Sequence, residues 1–249
     1  MKKYAMITGG TGGIGLATAK ALGNQGYSII LNGIDEKQGA EAYQQLSDLG
    51  IEVEIFYFDV TKEEAIVKGF EEIYSKYDHL DVLVNNAGGL GGRSRFDGMT
   101  TEFYRFVLAL NLDSVFFVTR AAIPLLKKGE NASIINFASN AAWNAGGAGA
   151  GVYGTAKAGV LTLTRAFAKD LAEYGIRCNA VSPGTIDTPF HQATKETNME
   201  LFNSFKNNIL MKRLGQPEEV ASVIEFLVSD KASFLTGEVI QINGGQDFL

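Results

Sequence analysis

Three side chains that could carry proton-transfer chemistry stand in one stretch of small residues, SNAAWNAGGAGAGVYGTAK, which runs from Ser139 to Lys157. Tyr153 and Lys157 are four residues apart, so on a helix both side chains project from one face. A free tyrosine has a pKa of about 10, and an ammonium group near the phenolate lowers that pKa. Each residue also has a plain interpretation: a solvated lysine, an amphipathic tyrosine, and a serine in a turn or helix cap. The secondary structure predicted around this stretch distinguishes the catalytic interpretation from the plain one.

Those elements alternate along the whole chain between short β-branched runs and longer stretches of helical period, which predicts a parallel sheet with helices on both faces. The predicted strands are Lys3–Thr8, Tyr27–Asn32, Glu52–Phe58, Asp81–Asn85, Ala132–Ala138, Ile176–Ser182 and Gly237–Ile242. The predicted helices are Ile14–Gln25, Glu36–Leu49, Lys62–Lys76, Thr101–Lys127, Val152–Tyr174 and Glu218–Ser229. No linker or repeat divides the 249 residues. We therefore expect one α/β domain, 1–249, built on a doubly wound seven-stranded parallel sheet.

The turn between the first strand and the first helix, TGGTGGIG, is rich in glycine. Glycines let the backbone approach a pyrophosphate, whose charge the following helix N-terminus favours, so the turn predicts a dinucleotide site in a Rossmann fold. It fits G-x-G-x-x-G in one register, with Gly10, Gly12 and Gly15, and T-G-x-x-x-G-x-G in another. The candidate cofactor-binding residues of this turn are Thr8, Gly9, Thr11, Gly13, Ile14 and Gly15.

The end of the second strand should lie near the adenosine ribose, where a carboxylate accepts hydrogen bonds from the ribose hydroxyls. Asn32 stands at the expected position, and Asp35 follows three residues later. No Arg or Lys occurs in the glycine turn or between Ile30 and Glu36. Because a 2′-phosphate would meet no cationic partner here, NAD is favoured over NADP, although Asn32 itself excludes neither cofactor.

Further polar residues and glycines follow the other strands. Since the carboxyl ends of parallel strands form the ligand crevice of an open sheet, we expect these residues to lie at one edge with the glycine turn. They are Asp59, Val60, Asn86, Ala87, Gly88, Ser139, Pro183 and Gly184.

Composition excludes some functions. A net charge of −6 argues against nucleic acid as a partner, and no run approaches the roughly 20 unbroken apolar residues of a membrane helix. The N-terminus MKKYAMITGG has no signal-peptide core, and the single cysteine, Cys178, suits a reducing cytoplasm. His79 and His191 are far apart without ligand spacing, so no metal site is expected. These features favour a cytoplasmic protein with a small-molecule substrate.

The ordered set of motifs resembles the short-chain dehydrogenase/reductase family from about Lys3 to Gly245, practically the whole chain. The motifs are TGGTGGIG, NNAG, Asn111 in LALNLDS, Ser139, YGTAK, VSPGTIDT, RLGQPEEVA and GEVIQINGG. One departure concerns the serine, which stands 14 residues before the tyrosine instead of the 13 common in the family. The small residues between them permit a bulge through which Ser139 still reaches the site. The departure therefore affects the shape of the loop and not the chemistry.

The resemblance implies roles for the catalytic candidates. Tyr153 would exchange a proton with the substrate oxygen, Ser139 would hydrogen-bond that oxygen, Lys157 would also hold the nicotinamide ribose, and Asn111 would support a water in the proton path. Asp59 would bind the adenine, Asn86 would lie along the cofactor, and Thr188 would meet the carboxamide. The remaining cofactor candidates, Pro183, Gly184 and Ile186, belong to the same motif as Thr188, VSPGTIDT.

Substrate specificity is expected from two segments, Gly89–Arg95 and Pro189–Met211, the second being a helical lid within about 186–212. Arg93 and Arg95 suggest an anionic substrate, such as a sugar acid or keto acid, but arginines are also common on surface loops. Trp143 and Phe190 are the apolar candidates for the substrate pocket. Two nearly all-apolar helices, Thr101–Lys127 and Val152–Tyr174, suggest a homo-oligomer, either a tetramer or a dimer.

The function expected is that of an NAD(P)-dependent oxidoreductase that interconverts a secondary alcohol and a ketone by hydride transfer. The substrate would be a sugar, polyol, sugar acid or hydroxy acid. A 3-oxoacyl-thioester reductase and a non-catalytic dinucleotide sensor are the alternatives. A serine hydrolase lacks support because no G-x-S-x-G surrounds Ser139. Sugar-nucleotide epimerases and dehydratases usually need a larger C-terminal domain.

Overall fold

A computed structural model describes residues 2–191, 195–196 and 199–248. Its strands are β1 Lys3–Ile7, β2 Tyr27–Gly33, β3 Val53–Tyr57, β4 Val82–Asn85, β5 Ser133–Phe137, β6 Arg177–Pro183 and β7 Val239–Ile242. They form one seven-stranded parallel sheet, as the sequence predicted, and their order in it is β3-β2-β1-β4-β5-β6-β7. The order reverses between β1 and β4, which places the switch point of the fold where their carboxyl ends meet.

Helices cover both faces of the sheet because its strands alternate two buried sets of apolar side chains. The helices are α1 Gly13–Asn24, α2 Glu36–Ser47, α3 Glu63–Lys76, α4 Thr101–Leu108, α5 Ser114–Leu126, α6 Ala141–Asn144, α7 Gly151–Asp170, α8 Met199–Ser204 and α9 Pro217–Val228. In β1, Met6 packs with α3, α5 and α7, whereas Ala5 and Ile7 pack with α1, α2 and α9 on the other face.

The fourth predicted helix is divided. A π-helical turn, Ala109–Asp113, separates α4 from α5, and it contains Asn111. The whole segment Thr101–Leu126 is long and apolar enough to cross a membrane by length and composition, which the sequence analysis did not anticipate. Its α5 part packs instead into the core formed with α3 and the sheet. Phe106 and Phe116 remain 45% and 38% exposed, and the homo-oligomer suggested by this helix stays a prediction.

The lid expected at about 186–212 contains a short 3₁₀ turn, Pro189–His191, then α8 and a second 3₁₀ turn, Phe205–Asn208. Residues 192–194 and 197–198 of this segment lie outside the described residues. Phe202, Ile209 and Leu214 form a small buried cluster of their own, with Phe205 packed against it. The later half of the segment therefore has a small apolar core of its own.

Candidate functional site

The glycine turn is folded tightly around Gly15. Gly9 and Gly13 have φ angles of 58° and 52°, a region that glycine adopts at little cost. A Cβ on Gly15 would lie 2.5 Å from the carbonyl oxygen of Gly9 and 2.9 Å from the Cα of Gly10, so only glycine fits there. The N-terminus of α1 is thereby held against the turn, and the shape suits a pyrophosphate.

The loop that follows β4 is tied to this turn. The side-chain amide of Asn86 donates to the carbonyl oxygens of Thr8 and Gly9, both at 2.9 Å. The backbone amide of Ala87 donates to Thr8 Oγ1 at 3.1 Å. The predicted candidates from β1 and β4 are therefore brought together at the switch point. Ile14, on the first turn of α1, is half-buried and packs on the core beneath.

Asn32 does not face a ribose as the sequence suggested. Its side chain is 2% exposed, and its amide nitrogen donates to Phe58 O at 2.9 Å while its oxygen accepts from Gly9 N at 3.4 Å. The alternation of side chains along β2 explains the difference. Asn32 and Ile30 lie on the face of the sheet that α3 covers, whereas Gly33 lies on the opposite face, toward the glycine turn. Asn32 thus positions the turn from inside.

The surface beside Gly33 is formed by other residues. A Cβ on Gly33 would lie 2.7 Å from Thr11 Cγ2, so Thr11 covers the end of β2. Ile34 is 76% exposed next to it. Asp35, the second ribose candidate, caps α2 by accepting a hydrogen bond from Gln38 N at 2.9 Å.

Asp59 lies at the end of β3 in a tight polar turn, with Val60 buried beside it. Its Oδ1 accepts from Thr61 N at 2.9 Å and from Thr61 Oγ1 at 2.7 Å. Partial burial favours a higher pKa, but the Thr61 hydrogen bonds and nearby Lys62 outweigh it and hold the pKa of Asp59 below its usual value. The carboxylate is therefore ionised at neutral pH.

Tyr153, Lys157 and Ser139 converge where α7 passes the end of β5. Lys157 Nζ donates to Phe137 O at 2.8 Å and lies 5.8 Å from the centroid of the Tyr153 ring. Ser139 lies close enough to Tyr153 for its hydroxyl to lower the pKa of the phenol. The three residues come from two elements at the same sheet edge as the glycine turn.

The acid–base properties of this group differ from the expectation. Burial raises the pKa of Tyr153, and the hydrogen bond from Ser139 opposes this only in part. Burial also lowers the pKa of Lys157 to about 8, because desolvation disfavours the ammonium form. Without a cofactor, Tyr153 is therefore a phenol at neutral pH, and Lys157 does not by itself bring its pKa there.

Asn111 and Gly88 close the other side of Lys157. Asn111 Nδ2 donates to Gly89 O and Val107 O, and its Oδ1 accepts from Gly89 N. A Cβ on Gly88 would lie 3.0 Å from Asn111 Oδ1 and 3.2 Å from Lys157 Nζ. The side-chain amide of Asn111 thus fixes the loop after β4, and its support of a water stays a prediction.

Between Ser139 and Tyr153 the chain forms α6, a single helical turn. The turn ends at Ala145, a non-glycine residue with a φ of 61°. A Cβ on Gly154 would lie 2.7 Å from Ala141 O, so this glycine lets α7 approach α6 closely. The segment between Ser139 and Tyr153 thus contains a helical turn and a left-handed residue, and Ser139 lies beside Tyr153.

The loop after β6 reaches back to the glycine turn. Gly184 N donates to Ile242 O at 2.9 Å, following Pro183 at the strand end, and Ile186 bridges to Gly215. A Cβ on Gly13 would lie 3.7 Å from Thr188 Cγ2. The carboxamide candidate is thereby placed across the crevice from α1.

The four substrate candidates fall into different settings. Arg93 donates from Nη1 to Ala148 O at 3.0 Å, so its guanidinium holds the Ala/Gly-rich loop, whereas Arg95 is exposed. Phe190 is 45% exposed, and its ring centroid lies 6.2 Å from that of Tyr153. Trp143, on α6, is 38% exposed. Phe190 is thus the substrate candidate with a contact to the catalytic group.

Sequence analysis missed the contribution of the C-terminal residues to this edge. Asp247 Oδ2 accepts hydrogen bonds from the side chains of Asn140 and Asn144, and Gln246 Oε1 accepts from Thr185 N and Oγ1. The sequence carries no motif that would indicate these contacts, because the partners are about 60 to 100 residues apart and pair only in the folded sheet.

Known proteins resemble this chain over nearly its whole length. A family model described as "Enoyl-(Acyl carrier protein) reductase" matches residues 9–247. The chain is 37% identical over 244 residues to the 3-oxoacyl-[acyl-carrier-protein] reductase FabG of Aquifex aeolicus, covering 98% of this chain and 96% of the relative. A short-chain dehydrogenase/reductase structure from Brucella melitensis, described as glucose/ribitol dehydrogenase, is 33% identical with a TM-score of 0.90, covering 100% of both chains. The NADH-dependent reductase A1-R′, responsible for alginate metabolism, is 34% identical with a TM-score of 0.90, covering 100% of this chain and 98% of its own.

Proposed function

This chain belongs to the short-chain dehydrogenase/reductase family and is an oxidoreductase that acts on CH–OH groups, and we propose that it interconverts a small secondary alcohol and its ketone with NAD. The substrate class proposed is a sugar, a polyol, or a sugar acid or hydroxy acid. The observation that carries this proposal is the convergence of Ser139, Tyr153 and Lys157 at the edge of the sheet that also holds the glycine turn.

Each of the three residues has a task that its contacts support. Tyr153 passes a proton to or from the substrate oxygen, and Ser139, which lies beside the phenol, hydrogen-bonds the same oxygen. Lys157, fixed by the Phe137 carbonyl, stabilises the phenolate form electrostatically. A bound nicotinamide supplies the hydride acceptor for oxidation and the hydride donor for reduction. The protein then contributes position and charge.

The preference for NAD over NADP is supported by the surface at the end of β2. Ile34 is largely exposed there, Thr11 covers Gly33, and neither residue carries a positive charge. A 2′-phosphate beside Ile34 would lose hydration without gaining a charged partner. The free ribose of NAD carries no such cost.

Ile34→Arg is expected to improve the use of NADP. A charged hydrogen bond contributes about 1.5–3 kcal/mol, so KM for NADP should fall by roughly tenfold or more. Steady-state kinetics with both nucleotides measures the change. Leu49→Arg is the matched control, because Leu49 is an exposed apolar residue after α2, and it should leave the preference unaltered. An equal KM for NADP in the wild type and Ile34→Arg would contradict this placement of the ribose.

The pKa of Tyr153 is expected to fall when NAD⁺ binds, because a cation beside the phenolate favours the ionised form. In the free protein burial holds this pKa above its usual value. Oxidation needs the phenolate and should accelerate as pH rises, whereas reduction needs the phenol and should slow. Calorimetry of NAD⁺ binding in two buffers of different ionisation enthalpy should detect proton release near pH 9, absent in Tyr153→Phe. The same release from both proteins would argue against Tyr153 as its source.

Arg93 and Arg95 should have separable effects, since only Arg93 holds the loop. Arg93→Ala should lower kcat/KM about two- to tenfold for neutral and carboxylated substrates alike, because one hydrogen bond contributes about 0.5–1.5 kcal/mol. Arg95→Ala tests an anionic substrate directly: it should raise KM for carboxylated substrates alone. An equal effect of Arg95→Ala on neutral substrates would remove the argument for an anion.

The second candidate function is reduction of a 3-oxoacyl thioester, and it is favoured by the similarity to FabG. A spectrophotometric screen at 340 nm separates the two. NAD and NADP are each tested with polyols, sugar acids, hydroxy acids, steroids and a 3-oxoacyl thioester. We expect turnover of a secondary alcohol with NAD; NADP-dependent reduction of the thioester alone would favour the second function, and no turnover at all would contradict both.

A further inference from the structure

The C-terminal segment, residues 243–248, lies against the loops that follow β5 and β6. Asn243 Nδ2 donates to the carbonyl oxygen of Asp247 at 2.9 Å, so the segment folds back on itself. The φ angles of Gly244 and Gly245, 61° and 78°, permit this turn. Gln246 Oε1 accepts from Thr185 N at 3.0 Å and from Thr185 Oγ1 at 3.1 Å, which anchors the segment to the loop after β6.

From that anchor, the carboxylate of Asp247 reaches both ends of α6. Its Oδ2 accepts from Asn140 Nδ2 at 2.8 Å and from Asn144 Nδ2 at 3.0 Å. Asn140 directly follows Ser139 and is 6% exposed, and Asn144 is the last residue of the turn. Hydrogen bonds to an ionised acceptor are about twice as strong as neutral ones, so this pair is a strong tie for so short an element.

Further hydrogen bonds to the loop that contains α6 lie beyond this helix, from Arg93 Nη1 to Ala148 O at 3.0 Å and from Ser94 N to Gly149 O at 3.1 Å. Beyond Asn144 it continues as Ala145–Gly151, whose side chains are hydrogen or methyl. Ala145 has a left-handed φ of 61°, a conformation that a non-glycine residue adopts only when its surroundings hold it. The backbone bond from Asn140 N to Pro183 O is long, at 3.4 Å. The carboxylate of Asp247 therefore supplies side-chain hydrogen bonds at both ends of α6.

We propose that Asp247 is a positioning residue that holds α6 through Asn140 and Asn144 and thereby fixes Ser139 beside Tyr153 for the reaction. The inference rests on the proposed function, because it assigns Ser139 a contact with the substrate oxygen. Loss of the carboxylate disturbs the chemical step, while the glycine turn and Asn86, which are held by hydrogen bonds of their own, continue to bind the cofactor.

Trp143 gives a direct readout of this tie, because it is the single tryptophan of the chain and lies on α6 between the two asparagines. In Asp247→Ala the acrylamide quenching constant of Trp143 should rise about twofold, as the released turn becomes more accessible. kcat should fall by about tenfold to a hundredfold, since small displacements of catalytic groups cost that much, while Kd for NADH stays within about twofold. Asp247→Asn keeps an acceptor oxygen of the same size without the charge and should recover part of both properties.

Asp48→Ala is the matched control, because Asp48 also accepts a side-chain amide, that of Gln44, on an exposed surface after α2. It should leave quenching, kcat and Kd as in the wild type. Unchanged quenching in Asp247→Ala, or unchanged kcat despite altered quenching, would overturn the proposal. Failure of the proposed function gives a different result: the wild type itself would not turn over, whereas the quenching comparison would still report whether Asp247 holds α6.

Discussion

Replacing Tyr153 by phenylalanine should lower kcat by about a thousandfold, within the roughly 10²–10⁴-fold contribution of general acid–base catalysis. The change removes one oxygen and leaves the ring that packs near Phe190. The proton of the substrate hydroxyl then has no acceptor at the position that Ser139 and Lys157 surround. The rate of NADH formation at 340 nm measures the loss.

Cofactor binding should survive in Tyr153→Phe, with Kd for NADH within about twofold of the wild type, because the glycine turn and Asn86 are unaltered. Tyr43→Phe, which removes the hydroxyl of an exposed tyrosine on α2, is the matched control and should be fully active. Near-normal turnover of Tyr153→Phe would show that another group transfers the proton.

Gly15→Ala should abolish measurable NAD binding and lower the free energy of unfolding by about 1–3 kcal/mol, the usual cost of overpacking. The new Cβ would lie 2.5 Å from Gly9 O and 2.7 Å from Asn86 Nδ2. Relief of these contacts requires the turn to open, which separates α1 from the residues that Asn86 holds. Calorimetric titration with NAD and thermal unfolding measure the two effects.

Gly12→Ala is the matched control for the turn. Gly12 has an extended backbone as the N-cap of α1, and a Cβ there would meet no atom within 4 Å. It should bind NAD and unfold like the wild type. If both variants lost NAD binding equally, the close approach at Gly15 would not explain the requirement for glycine.

The strands could be predicted from the sequence because each is a short β-branched run in a strict alternation with helices. The predicted Tyr27–Asn32 and the observed β2, Tyr27–Gly33, differ by one residue. The strand that begins at Lys3 ends one residue earlier than expected. Boundaries shift by a residue or two because the last hydrogen bonds of an element depend on its neighbours.

The face on which a side chain lies was harder to predict. Asn32 was placed at the ribose from its distance along the chain, yet the two-residue period of a strand turns it inward and leaves Gly33 and Ile34 at the surface. An error of one position moves a side chain to the opposite face of a sheet. Local sequence does not fix that register.

The helical turns that shape the site were also missed. The π turn around Asn111 and the single turn of α6 are set by tertiary contacts, such as the fit of Gly154 against Ala141. The contact of Asp247 with Asn140 joins residues 107 positions apart. By contrast, Ser139, Tyr153 and Lys157 could be predicted together, because the tyrosine and the lysine share a helix face and the serine follows a strand.

Direct hydride transfer at this site is tested most directly with NADH that carries deuterium at C4, supplied as the two stereospecifically labelled forms with a ketone substrate. One form should transfer its deuterium completely to the carbinol carbon of the product, as mass spectrometry detects, and the other should transfer none. Tyr153→Phe should give the same label pattern at a far lower rate. Product without deuterium from either form, or label exchanged into water, would contradict the proposed reaction.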